Sequence, residues 1–137
     1  MATHAEIRRI AMALPGTEEN LERFAFSVWN KGKLKGYAWS WAERVHPRKP
    51  RVVNKSVLAV RVASLADKEI LLSLDQEKFF TEPHYDGFPA VLVRLAAVSA
   101  AEMRPPLRDA WRTMVPKELL ESQASRTKPR RQRRISR

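Results

Sequence analysis

FAFSVWNKGKLKGYAWSW, residues 24–41, is the stretch on which the fold turns. Phe24, Phe26 and Val28 alternate in its first half, and Tyr37, Trp39 and Trp41 alternate in its second. A period of two is the signature of a strand with one buried side. Between the halves, Asn30–Gly36 carries two glycines able to take the positive φ that a reversal needs. The segment is expected to be a β-hairpin, with Lys31, Lys33 and Lys35 near its tip. Its aromatic stripe could be a platform on which bases stack or a core packed against helices. A chain this short needs bulky groups inside, which favours the core.

Working outward, THAE at 3–6 has the form of a capping box, and Ile7, Ile10, Ala11 and Leu14 follow on one helical face until Pro15-Gly16 stops them. An acidic linker, TEENLE, leads to the hairpin. After it, residues 44–55 form a second basic segment with Arg44, Arg48, Lys49, Arg51 and Lys55, read as a loop because two prolines interrupt it. VLAVRVA (57–63) is expected as a strand, with Arg61 on the face opposite Leu58, Val60 and Val62. SLADKEILLSLD (64–75) reads as a helix capped by Ser64, with Ile70, Leu71 and Leu74 as its buried stripe. AVLVRLAAV (90–98) is a further strand, and Arg94, like Arg61, falls on a face where cations could gather or pair with carboxylates. SAAE (99–102) repeats the capping-box pattern. Leu107, Ala110, Trp111 and Met114 mark the last helix, with Pro106 suited to its first turn. The order α-β-β-β-α-β-α makes this an α+β fold with an antiparallel sheet.

The chain has 137 residues, no cysteine and a net charge of +11. That length fits one domain of about residues 1–125. The absence of cysteine excludes disulfides, thiolate ligands and a cysteine nucleophile. With neither a secretory pattern nor an apolar run of bilayer length, the expectation is a cytoplasmic protein that makes no membrane contact. Residues 126–137 (RTKPRRQRRISR) hold seven of the 26 basic residues and no acid, which leaves the rest only mildly basic, at +4. Such a tail, with Arg130, Arg131, Arg133 and Arg134, is expected to be disordered alone and to attract phosphate backbones without reading their sequence.

FFTEPHYDGFPAVLVRL (79–95) crowds Glu82, His84, Tyr85 and Asp86 together. His84 and Asp86 could pair as acid and base, but Asp86-Gly87 is a turn dipeptide between Pro83 and Pro89, so a stiff connector is the stronger reading. His84, Tyr85 and Asp86 could also line a ligand groove. The three histidines are scattered, no metal site is expected, and no nucleotide-binding or acyl-transfer motif occurs. No cofactor and no catalysis follow from these residues.

Taken together, LPG (14–16), KGK (31–33), the strand-helix pair at 57–75, the 79–95 segment and LRDAWRTMVPKELL (107–120) resemble the MmcQ/YjbR family of small bacterial proteins. The resemblance implies a frataxin-like (CyaY-like) sandwich, helices on one face of an antiparallel sheet, and a double-wing DNA-binding role. The wings would be the basic segments 31–35 and 44–55, contacting phosphates with help from the tail. DNA is then the expected partner ahead of RNA, and a monomer the expected state. An adaptor that binds protein or small ligands in a groove beside 79–89 is the alternative. The first helix lacks the acidic row of true frataxins, so iron handling is not implied.

Overall fold

The computed structural model describes residues 1–43 and 46–121. Along them run α1 (His4–Met12), β1 (Glu18–Asn20), β2 (Ala25–Asn30), β3 (Lys33–Glu43), β4 (Val52–Arg61), α2 (Leu65–Leu74), β5 (Phe79–Phe80), β6 (Ala90–Arg94) and α3 (Ala100–Met114). The six strands form one antiparallel sheet in the order β1-β2-β3-β4-β6-β5. This is the α+β architecture the sequence implies.

Local chemistry sets the ends of these elements. Thr3 with Glu6, and Ser99 with Glu102, close full capping boxes. Ser64 accepts the Asp67 backbone N–H at 3.1 Å. In the hairpin, Asn30 pairs with Lys33, so only Lys31 and Gly32 make the turn, with φ of 53° and 76°. Two consecutive positive φ values belong to a tight reversal matched to the twist of its strands.

The helices cover one sheet face. Their core holds Ile7 and Ala11 of α1, Phe26 and Val28 of β2, Leu58 and Val60 of β4, Val91 and Val93 of β6, and Met103, Leu107 and Trp111 of α3. Burying a side chain of this size contributes about 1.5–3 kcal/mol. Polar ties fix the layers: Trp111 Nε1 donates to the Pro15 carbonyl at 2.8 Å, joining α3 to the end of α1. Arg8 Nε meets both Glu19 oxygens, at 2.9 and 2.7 Å, joining α1 to β1.

Several expectations change. Tyr37, Trp39 and Trp41 do not share a face. Phe26 pairs with Ala38 but Ser27 pairs with Gly36, so Tyr37 is an extra residue in β3 and the alternation slips by one. Tyr37 and Ala38 both enter the helix-side core, while Trp39 and Trp41 turn to the opposite face. The stripe of α2 is also different: Ile70 and Leu74 are exposed, Leu71 is half-buried, and the residue α2 buries is Lys68. The loop read as 44–55 ends early, since β4 begins at Val52 and contains Lys55. The acidic TEENLE linker includes β1, and the 90–98 run breaks after Arg94 into a 3₁₀ turn at Leu95–Ala97. Pro106 lies in the second turn of α3, beside Pro105, because the helix begins at the Ser99 cap. Two missing N–H donors are tolerated there because the carbonyls they would serve belong to Ala101 and Glu102, both exposed.

Candidate functional site

The face without helices is not bare. Val57, Ala59, Tyr85, Ala90 and Leu92 form a second buried cluster on it, with Trp39, Trp41 and Phe80 packed alongside. What covers this cluster is the 79–89 segment. Glu82 caps a 3₁₀ turn at Pro83–Tyr85, its side chain accepting the His84 backbone N–H at 3.3 Å. Gly87 takes a φ of 76°. The turn is clamped from α2: Lys68 Nζ donates to the carbonyls of Tyr85 at 2.5 Å and Phe88 at 2.9 Å. Burial holds the Lys68 ammonium below its ordinary pKa, against the opposing pull of Asp86 and Glu69. On the sheet side, Trp39 Nε1 donates to the Tyr85 hydroxyl at 3.0 Å. The connector expected from the sequence is therefore a lid over the sheet face on which no α-helix packs among the described residues.

His84 and Asp86 are exposed. The His84 ring meets the Tyr85 ring edge-on at 5.7 Å, and Asp86 acts on Lys68. A niche of about 260 Å³ opens beside the lid, lined by Trp39, His84, Tyr85 and Phe88. Of the three groove residues proposed from sequence, His84 and Tyr85 line it; Asp86 does not. Trp39 and Phe88 were not singled out for this place, since the β3 bulge that turns Trp39 outward leaves no mark in the alternation.

The arginines of this face lie on rings. The Arg61 guanidinium sits 5.0 Å from the Phe88 centroid and that of Arg94 4.0 Å from Phe80. Arg94 also donates to the carbonyls of Gln76 and Glu77, at 3.1 and 3.3 Å. Arg51 donates to the Ala42 carbonyl at 3.0 Å and lies 3.8 Å from a Glu82 oxygen, tying the basic loop to the lid. Among the described residues, four buried polar atoms have no hydrogen-bond partner: Trp41 Nε1, Arg61 Nε, Thr81 Oγ1 and Glu82 Oε1. All four belong to this face or its lid.

The basic segments do not converge. Lys31 occupies the hairpin turn, whereas Arg48, Lys49 and Arg51 follow the far end of β3. Eleven residues of β3 separate the two, about 33 Å at strand rise. Lys33 and Lys35 pair with Asn30 and Val28, whose side chains turn toward the helix layer; Asn30 itself donates to the Met114 carbonyl at 2.9 Å. They therefore lie near the C-terminus of α3, where cations are stabilised by the helix dipole. Lys55 is exposed in β4. Arg44 and the tail residues Arg130, Arg131, Arg133 and Arg134 lie outside the described residues.

On the helix side, a groove of about 480 Å³ runs between α2 and α3, floored by Val60, Val62, Leu71 and the two prolines, with Asp109 and Arg112 at its rim. No helix among the described residues is long and apolar enough to cross a membrane.

No family model matches the chain. Uncharacterized protein Rv2570 of Mycobacterium tuberculosis is 33% identical over 128 residues, covering 89% of this chain and 95% of that one. Uncharacterized protein Mb2600 of Mycobacterium bovis matches to the same extent. This chain belongs to their family. The Rv2570 family thus spans nearly the whole of this domain, lid and sheet included. The fold of this member is similar to the crystal structure of Deinococcus radiodurans protein DR2400, a DUF419 domain, with a TM-score of 0.59 at 22% identity over 81% of this chain and 77% of that one.

Proposed function

We propose that this domain is a non-enzymatic nucleic-acid-binding module of the MmcQ/YjbR type, with DNA as the partner that resemblance implies. One observation carries the reading: the lidded sheet face presents cationic arginines laid on aromatic rings, Arg61 on Phe88 and Arg94 on Phe80. Such guanidinium groups put fixed positive charge beside phosphates, although Arg94 already spends an amino group on the Gln76 and Glu77 carbonyls, and the exposed Phe88 offers apolar surface to a base. Neither basic loop needs to act as a clamp in this arrangement. Lys31 and the Arg48–Arg51 loop add long-range attraction from the two ends of β3, and the basic tail adds more.

A salt-titrated gel shift with labelled DNA and RNA tests the proposal. Affinity is expected to fall steeply as salt rises, and removing residues 126–137 to make that slope shallower. Binding absent at low salt, or unchanged at high salt, would exclude the mechanism. A stoichiometric protein partner recovered without nucleic acid would instead favour the adaptor reading.

A further inference from the structure

We infer that the niche between Trp39, Tyr85, Phe88 and His84 receives an unpaired base of a single-stranded nucleic acid, with Arg61 holding the adjoining phosphate. The inference rests on the nucleic-acid reading and narrows it from a charged surface to one stacking site.

The walls of the niche meet edge to face. Trp39 and Phe88 lie 6.4 Å apart at 68°, Tyr85 and Phe88 5.9 Å apart at 89°, and His84 and Tyr85 5.7 Å apart at 72°. Edge-to-face packing covers one face per pair, and Arg61 lies over the Phe88 ring, so a guest meets the exposed parts of Phe88 and His84 that open onto the niche. The Trp39–Tyr85 hydrogen bond, at 3.0 Å, fixes two of these walls in place. At about 260 Å³ the space suits one planar heterocycle and is smaller than the sites of drug-sized ligands, which run about 300–1,000 Å³. An extended strand supplies such rings singly; a paired base buries its faces in the duplex stack.

Arg61 sets the charge of the guest. Its guanidinium is supported by the Phe88 ring, and its Nε is buried without a hydrogen-bond partner. Nε is too deep for a guest to reach, but the charge of a cation steadied by a ring at the edge of the niche complements a phosphate beside a stacked base. A second copy of the chain is the rival occupant, because Trp29 and Leu34 are exposed on the same face.

Fluorescence anisotropy on the full chain separates these possibilities, using labelled single-stranded oligonucleotides and duplexes of equal length. Single strands are expected to bind about tenfold tighter than duplex at the same salt. Phe88→Ala should weaken single-strand binding about five- to tenfold, with an unchanged slope of affinity against salt, since stacking carries no counterion release. Phe88 is partly exposed, so this variant keeps the fold; Trp39→Leu should act in the same direction. Arg61→Gln should lower affinity and reduce the salt slope by about one. Four outcomes would overturn the inference: equal affinity for duplex, unchanged binding by both ring variants, equal affinity for a free nucleoside monophosphate, or a dimer that Phe88→Ala disperses. Binding that persists in the two ring variants sinks the niche but leaves the nucleic-acid reading standing. Loss of all binding at low salt sinks both.

Discussion

Two buried titratable residues respond to pH in opposite directions. Tyr37 is fully buried, its hydroxyl 3.0 Å from Thr17 Oγ1 and 3.4 Å from the Ala11 carbonyl. Burial pushes its pKa from 10.0 up to about 12. The folded chain therefore keeps this proton after the unfolded chain has lost it. The stability this provides is complete below pH 10 and disappears as pH rises to about 12, a loss of about 2–3 kcal/mol. Urea titrations at pH 9 and pH 12 should show that loss, and Tyr37→Phe should remove most of it. Lys68 behaves the other way. Burial lowers its pKa from 10.5, so between the two values the unfolded chain binds the extra proton and this group's contribution grows with pH. The importance of Tyr37 was legible as an aromatic in a strand, but not its environment. That Lys68 would be buried was not legible, because a lysine among Ile70, Leu71 and Leu74 reads as the solvated side.

At the scale of elements, the hairpin shows what periodicity can and cannot reveal. Both strands and their reversal are visible in the alternation and the glycines. The bulge at Tyr37 is not, since inserting one residue leaves every residue type strand-like while exchanging the two faces beyond it. The consequence is large: Trp39 and Trp41 leave the main core and build the niche face. The turn itself makes a separate prediction. Lys31 holds a φ of 53°, a conformation that costs a residue with a Cβ about 1–2 kcal/mol and is tolerated better by Asn. Lys31→Asn is expected to raise stability by about 0.5 kcal/mol. A thermal midpoint at or below that of the parent would mean the turn is not strained. The helices were easier to read, because Thr3, Ser64 and Ser99 cap them as their spacing announces. α2 kept its bounds but not its buried side, since the lid that Lys68 clamps lies 17 and 20 residues further along the chain.

At the scale of the molecule, Lys68 is the bolt between the helix layer and the lid on the other side of the sheet. Lys68→Met takes one of two donors from each of the Tyr85 and Phe88 carbonyls, leaving only the Phe88 and Ala90 backbone N–H groups, and should cost about 1–3 kcal/mol, read from urea denaturation. Hydrogen exchange should rise first in residues 82–89, ahead of β3 and β4. Uniform change across the sheet would mean that the lid does not open separately. The basic segments taught the converse lesson: they look paired in sequence, yet an eleven-residue strand holds them apart. The edges of the sheet carry one more consequence. β1 has three residues, two of them glutamates, and β5 has two before Pro83 intervenes. Neither rim offers enough free backbone to template another chain. A protein with apolar rings on an open surface risks growing into fibres by edge pairing, and this one has trimmed both edges of its sheet.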